Sequence, residues 1–194
     1  MHAQVIQGLA RFGCALSMLL LWGCAATIAK PQLYLLDSSL AEVEAQGSDR
    51  CTPVAVRVQL PAYLQREGLV LQLDDNELVA ADDHLWAEPM VYGVERLLRV
   101  CLNPAPSQGA QPQPSGFKQV EVVVERLHGD TKGISRLQAS WTESVGGKVG
   151  GTLNRFAGTA AQPEAGYSAL VSAQRSLLLD LCHEIAARVA HCTP

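Results

Sequence analysis

Aromatic residues make up 5% of this chain, and no run of basic residues occurs. The first lack removes the stacking platforms on which single-stranded nucleic acids bind. The second, with a net charge of −4, removes the electrostatic footprint of nucleic-acid binding and of a basic membrane patch. There is no Gly-rich phosphate loop, no HExxH and no GxSxG, so no nucleotide fingerprint, zincin site or nucleophile elbow is present. No nucleophile–base pair stands out and no internal repeat occurs, so an enzyme is not expected. The apolar run near the N-terminus is far short of the ~20 residues of a spanning helix.

What that run does resemble is a secretory leader. Arg11 supplies the positive region, Ala15 to Trp22 the apolar region and Gly23 the small residue before a cut. The stretch Leu21-Trp22-Gly23-Cys24 ends as a bacterial lipoprotein signal peptide ends, making residues 1–23 the leader and Cys24 the first mature residue, with lipid on its sulfur and amine. Each buried methylene is worth about 0.8 kcal/mol, so a palmitate-bearing, three-chain anchor is effectively permanent. Ala25 stands where an inner-membrane lipoprotein usually carries Asp. By resemblance to the general lipoprotein pattern, the chain is expected on the inner leaflet of the outer membrane, facing the periplasm. The covalent lipid is the sole cofactor expected. Residues 24–32 form a lipidated tether and 33–194 one periplasmic domain, by the usual size prior.

Beyond Cys24, four cysteines remain: Cys51, Cys101, Cys182 and Cys192. In an oxidising compartment they allow three disulfide pairings, with buried free thiols as the alternative. Cys51 opens a strand and Cys101 closes a helix, which favours a Cys51–Cys101 disulfide. Cys182-His183 and His191-Cys192 are the densest group of metal-ligand types. Along one helix residues 182 and 192 lie ~15 Å apart, so no metal site is assigned. Asp74, Asp75, Asp82 and Asp83 could suggest acid–base work or calcium. Turn and helix-capping roles account for them better.

Periodicity sorts the rest. Leu33 to Leu36 reads as a short buried strand, and 37–50 as an acidic loop. Val54 to Leu60 is a strand stopped by Pro61. Leu69 to Leu73 and Glu77 to Ala80 form a hairpin about Asp74-Asp75-Asn76. Trp86, Met90, Val94, Leu97, Leu98 and Cys101 step by three and four, predicting a helix from near Trp86, capped by Asp82 and Asp83 and stopped at Asn103-Pro104. Residues 103–116, with four prolines, form a long connection. Strands follow at 120–127 and 136–141, joined by a hairpin at 128–133. Another runs from Lys148 to Ala157 after a Gly146-Gly147 turn, and a helix spans about Gly166 to Ala190. Five to seven strands and two helices predict an α+β fold: one two-layer domain, a mostly antiparallel sheet with both long helices on one face. The other face then needs a partner or a polar surface.

The stretch Leu60-Pro61-Ala62-Tyr63-Leu64-Gln65-Arg66, followed by Leu69-Val70, resembles the LPxYLxR…LV signature of the ABC-type transport auxiliary lipoprotein family, which includes paraquat-inducible protein C-like lipoproteins. His84-Leu85-Trp86-Ala87-Glu88-Pro89-Met90 is similar to that family's helix start. Gly166 to Val171, leading to Glu184-Ile185-Ala186, resembles its last helix, and Tyr34-Leu35 its first strand. The family-motif positions are thus Leu60, Pro61, Tyr63, Leu64, Arg66, Trp86, Ala87, Glu88 and Pro89. Fold-keeping roles suit them best. Pro61 stops a strand, Tyr63 and Leu64 cover the sheet edge, Trp86 fills core, and Glu88 meets the positive helix end. The resemblance implies a non-enzymatic outer-membrane lipoprotein that docks an MCE-domain transport assembly moving lipids or hydrophobic compounds between membranes, as a homo-oligomer. The competing reading is a periplasmic carrier that binds lipid in its own apolar cavity, which would need several hundred Å³ of enclosed space. A hydrolase is the last of the three.

Overall fold

The computed structural model describes residues 30–36, 53–103, 118–146, 148–149 and 151–189. The leader, Cys24, Cys51, His191, Cys192, the acidic loop and the Pro-rich connection beyond Asn103 lie outside them. Eight strands and two α-helices are found among the described residues: β1 (Gln32–Tyr34), β2 (Val54–Gln59), β3 (Gly68–Asp74), β4 (Glu77–Trp86), α1 (Met90–Leu102), β5 (Lys118–Asp130), β6 (Ile134–Val145), β7 (Lys148–Val149), β8 (Asn154–Ala161) and α2 (Tyr167–Val189).

The fold is α+β. The hairpins β3–β4, β5–β6 and β6–β8 are antiparallel, as alternation predicts. The sheet is nonetheless more mixed than expected: β1 joins β4, and β2 and β3 join β5, in parallel. Strand β5 is the long centre. Its first half pairs with β2 over Lys118 to Val123, while Gly129 and Asp130 pair with β3. Two strands thus share one edge of β5. A register shift in β5 between Val124 and Arg126 lies between the two pairings, a bulge that bends the strand where its partner changes.

Inward residues of β5 and β6 (Val120, Val122, Val124, Leu127, Leu137, Ala139 and Trp141) are buried against both helices in one core. From α1 come Val94, Leu98 and Leu102. From α2 come Leu170, Leu177, Leu178, Leu181 and Ile185. A fully buried side chain of this kind contributes about 1.5–3 kcal/mol before entropy is counted.

Four expectations change. First, β4 runs on through Asp82 and Asp83 to Trp86, so those carboxylates are exposed strand residues and not helix caps. The strand persists because β1 pairs with His84 to Trp86 and Gly68 pairs with Leu85. The helix begins at Met90, with Pro89 at the capping position. Second, Leu33 and Leu35 are 64% and 48% exposed, so β1 is an edge and not a buried strand; Leu36 alone is buried. Third, the Lys148–Ala157 strand is two strands on one edge of β6. Between them Gly151 passes the Glu143 backbone so closely that a Cβ would collide with its carbonyl. Fourth, Cys101 is bonded to Cys182, not to Cys51, with Cα atoms 6.4 Å apart. Both cysteines lie on the inward stripes of helices that pack against each other. A strand-to-helix argument overlooks that contact. No helix among the described residues is long and apolar enough to cross a membrane.

Candidate functional site

After β2, Pro61 ends the strand with φ −64° and its carbonyl accepts the Leu64 N–H at 3.0 Å, closing a 3₁₀ turn over Ala62–Gln65. Proline suits this position because it needs no ladder partner for a missing N–H. Leu60 and Leu64 point into the core, and Gln65 Nε2 donates to the Leu60 carbonyl at 2.9 Å. Ala62, Gln65 and Arg66 are exposed.

The turn fills the seam where β5 changes partner. Tyr63 does the joining. Its hydroxyl oxygen accepts the Leu127 N–H at 3.4 Å and lies 3.3 Å from His128 Nδ1. His128 Nε2 is in turn 3.2 Å from Gln72 Oε1. These contacts fix the donors. Gln72 Oε1 can only accept, so His128 donates from Nε2, and Tyr63 donates its proton to Nδ1. Burial holds the His128 imidazolium below its ordinary range, reinforced by Arg126 and Arg136 and opposed by Asp130. Burial likewise raises Tyr63 against the lowering effect of its Leu127 hydrogen bond. The cluster is therefore neutral, and the atoms named have their partners. It braces a backbone junction.

The second motif adjoins the first. The Trp86 N–H donates to the Glu67 carbonyl at 2.7 Å, and the Ala87 N–H to the Tyr34 carbonyl at 2.9 Å. Trp86 is buried at the end of β4, not within the helix. Glu88 precedes α1, as expected, but its partner is specific: Arg96 grips both carboxylate oxygens, one at 3.0 Å. That hydrogen bonding holds the Glu88 carboxyl below its ordinary range despite some burial.

A third group was not legible as a unit. Tyr34 OH lies 2.8 Å from His84 Nδ1 and 2.9 Å from Gln32 Oε1. The His84 ring stacks on Tyr167, with centroids 4.0 Å apart. Burial, then Asp83 and Tyr34, raise the Tyr167 hydroxyl. The stack ties the edge strand nearest the N-terminus to the start of α2. Sequence reading also missed the cover over the free edge of β2. Val58 N–H donates to Glu95 Oε1 at 3.1 Å, while Asn103 bonds both the N–H and the carbonyl of Val54. No group of three or more metal-ligand side chains occurs among the described residues, and Cys182 is engaged in the disulfide.

These motifs and this fold define a class. The family described as the ABC-type transport auxiliary lipoprotein component matches residues 34–186, and the chain belongs to it. It is an auxiliary lipoprotein of ABC-type transport. Two solved structures share its architecture. One is a crystal structure of an uncharacterized protein, 22% identical, with a TM-score of 0.63 over 83% of this chain and 99% of its own. The other, a Xanthomonas campestris protein assigned to the DUF330 family, is 10% identical, with a TM-score of 0.61 over 82% and 93%. At such identities the likeness is one of fold. A search of curated proteins finds no match.

Proposed function

We propose that this protein is anchored through lipid on Cys24 to the inner leaflet of the outer membrane, and docks the periplasmic end of an MCE-domain assembly that moves lipids or similar hydrophobic compounds. Family membership over residues 34–186 carries the reading; the Leu21-Trp22-Gly23-Cys24 ending supports the anchor. We expect no catalytic activity and no cofactor beyond the covalent lipid. We also expect a homo-oligomer, since repeated sites on a symmetric transporter gain avidity from repeated contacts.

Docking is favoured over carriage between the layers because Leu98, Leu137, Leu177, Leu178, Leu181 and Ile185 pack that space with at most 1% exposure. The proposed contact surface is the polar open face of the sheet together with the turn after β2. Tyr63 is committed to bracing, so Arg66 and its exposed neighbours carry the contact there. Two tests apply. Cys24→Ser should abolish lipid labelling and release the chain from membranes. In a deletion strain, Arg66→Glu should fold normally, lose crosslinking to an MCE-domain partner, and fail to restore the membrane barrier. Full rescue by a variant that captures no envelope partner would refute docking.

A further inference from the structure

A strand at the edge of a sheet leaves half of its backbone groups without a ladder partner. Most edges of this sheet are short, clasped or broken up. β1 has three residues and β7 two. Glu95 and Asn103 clasp β2. Beyond its pairing with β1, β4 is irregular in register and carries Glu77, Asp82 and Asp83. β8 differs. Asn154–Ala161 is eight residues long, lacks proline, holds one charged residue, Arg155, and pairs with β6 without a register shift.

The ladder fixes which of its backbone groups face out. The Gln162 N–H donates to the Gly133 carbonyl at 2.7 Å, and that pair continues the register that sets Ile134 beside Ala161. Hydrogen-bonded pairs alternate along an antiparallel ladder. Asn154, Phe156, Gly158 and Ala160 therefore turn N–H and C=O towards β6. Arg155, Ala157, Thr159 and Ala161 turn theirs away, and all of these are exposed. Among the described residues no strand pairs with that side of β8.

The strand is its own complement. A two-fold axis through Gly158, normal to the sheet, sets Arg155 opposite the second copy's Ala161 and Ala157 opposite the second copy's Thr159. Each such pair exchanges two backbone hydrogen bonds, so every outward residue of β8 is used. The Arg155 side chains of the two copies then stand about 20 Å apart along the strand, at 3.4 Å per residue, beyond the Debye length of ~8–10 Å. At the axis the close, non-hydrogen-bonded pair is glycine against glycine, and no side chain crowds it. An isologous contact of this kind closes at two copies. A foreign strand would have to supply that match, whereas a second copy has it by symmetry. We infer that β8 joins two copies of this chain edge to edge in one continuous sheet. The open faces of both copies then lie on the same side, doubling the surface offered for docking. The inference deepens the homo-oligomer expected above and rests on that part of the proposed function alone.

Amide hydrogen exchange of the full chain in detergent micelles, resolved by residue and repeated on dilution, tests it beside the sedimentation mass. The Arg155, Ala157, Thr159 and Ala161 amides should exchange about tenfold more slowly in the concentrated sample, at the mass of two chains. Ala157→Pro removes an N–H that the β6 ladder does not use. Ala157→Lys keeps that ladder whole and sets like charges diagonally across the seam. Each should return the chain to a single copy and the remaining outward amides to fast exchange, with the melting temperature of the dilute chain unchanged; should the proline variant not fold, the lysine variant decides. Slow exchange in a chain of single mass would place the cover within the chain and overturn the joint. So would slow exchange at double mass retained by the lysine variant. Oligomers whose β8 amides exchange fast would overturn the joint and leave the homo-oligomer standing, whereas single mass with fast exchange in every sample would remove both.

Discussion

Tyr63 shows why a motif residue can matter without touching a partner. Its hydroxyl satisfies Leu127 N–H and His128 Nδ1 at the seam of β5. Tyr63→Phe should cost about 1–3 kcal/mol, the penalty for leaving half-buried polar groups unpaired, read as a lower urea midpoint with unchanged slope. His128 adds a pH dependence of definite sign. Its folded-state pKa lies below the ordinary value of 6.5, so the unfolded chain takes up the proton first. Stability is then full above pH 6.5 and declines as pH falls through the window between the unfolded and folded values. Melting temperatures of wild type should fall between pH 7 and pH 5, and His128→Gln should flatten that slope; parallel curves would count against the assignment. The motif drew attention to Tyr63. Its partner, 65 positions away, has no local signature, since periodicity reports a face and not a contact across the chain.

At the scale of elements, local pattern was sufficient wherever an element's neighbour was also local. The β3–β4 and β5–β6 hairpins and the body of α2 follow directly from alternation and from three-and-four spacing. Misreadings cluster where a distant strand intervenes. The step from Trp86 to Met90 mimics a helix repeat, yet β1 holds His84 to Trp86 extended. Asn103 was legible as a helix stop, and it is one, its N–H donating to the Arg99 carbonyl. Its second role, bonding both backbone groups of Val54, covers an otherwise open strand edge. Asn103→Ala should therefore speed hydrogen exchange at the Val54 amide and cost about 1–2 kcal/mol. Unchanged exchange there would mean that the edge is protected by other means.

Over the whole molecule, the Cys101–Cys182 bridge joins segments 81 residues apart, worth on the order of 4 kcal/mol in the chain-entropy model. Reduction should lower the denaturation midpoint accordingly, and Cys182→Ala should reproduce most of that loss; equal midpoints with and without reductant would contradict it. Strand β2 carries a different implication, one of timing. Synthesis delivers the chain N-terminus first, so β2 emerges roughly sixty residues before β5, with which Val54 to Gln59 must pair. Helix α1 and the Asn103 that caps it emerge in between, bringing the Glu95 and Asn103 side chains that hold the opposite edge of β2. The early half of the chain can thus assemble its own template, a strand already clasped on one side, on which the late half has only to add itself.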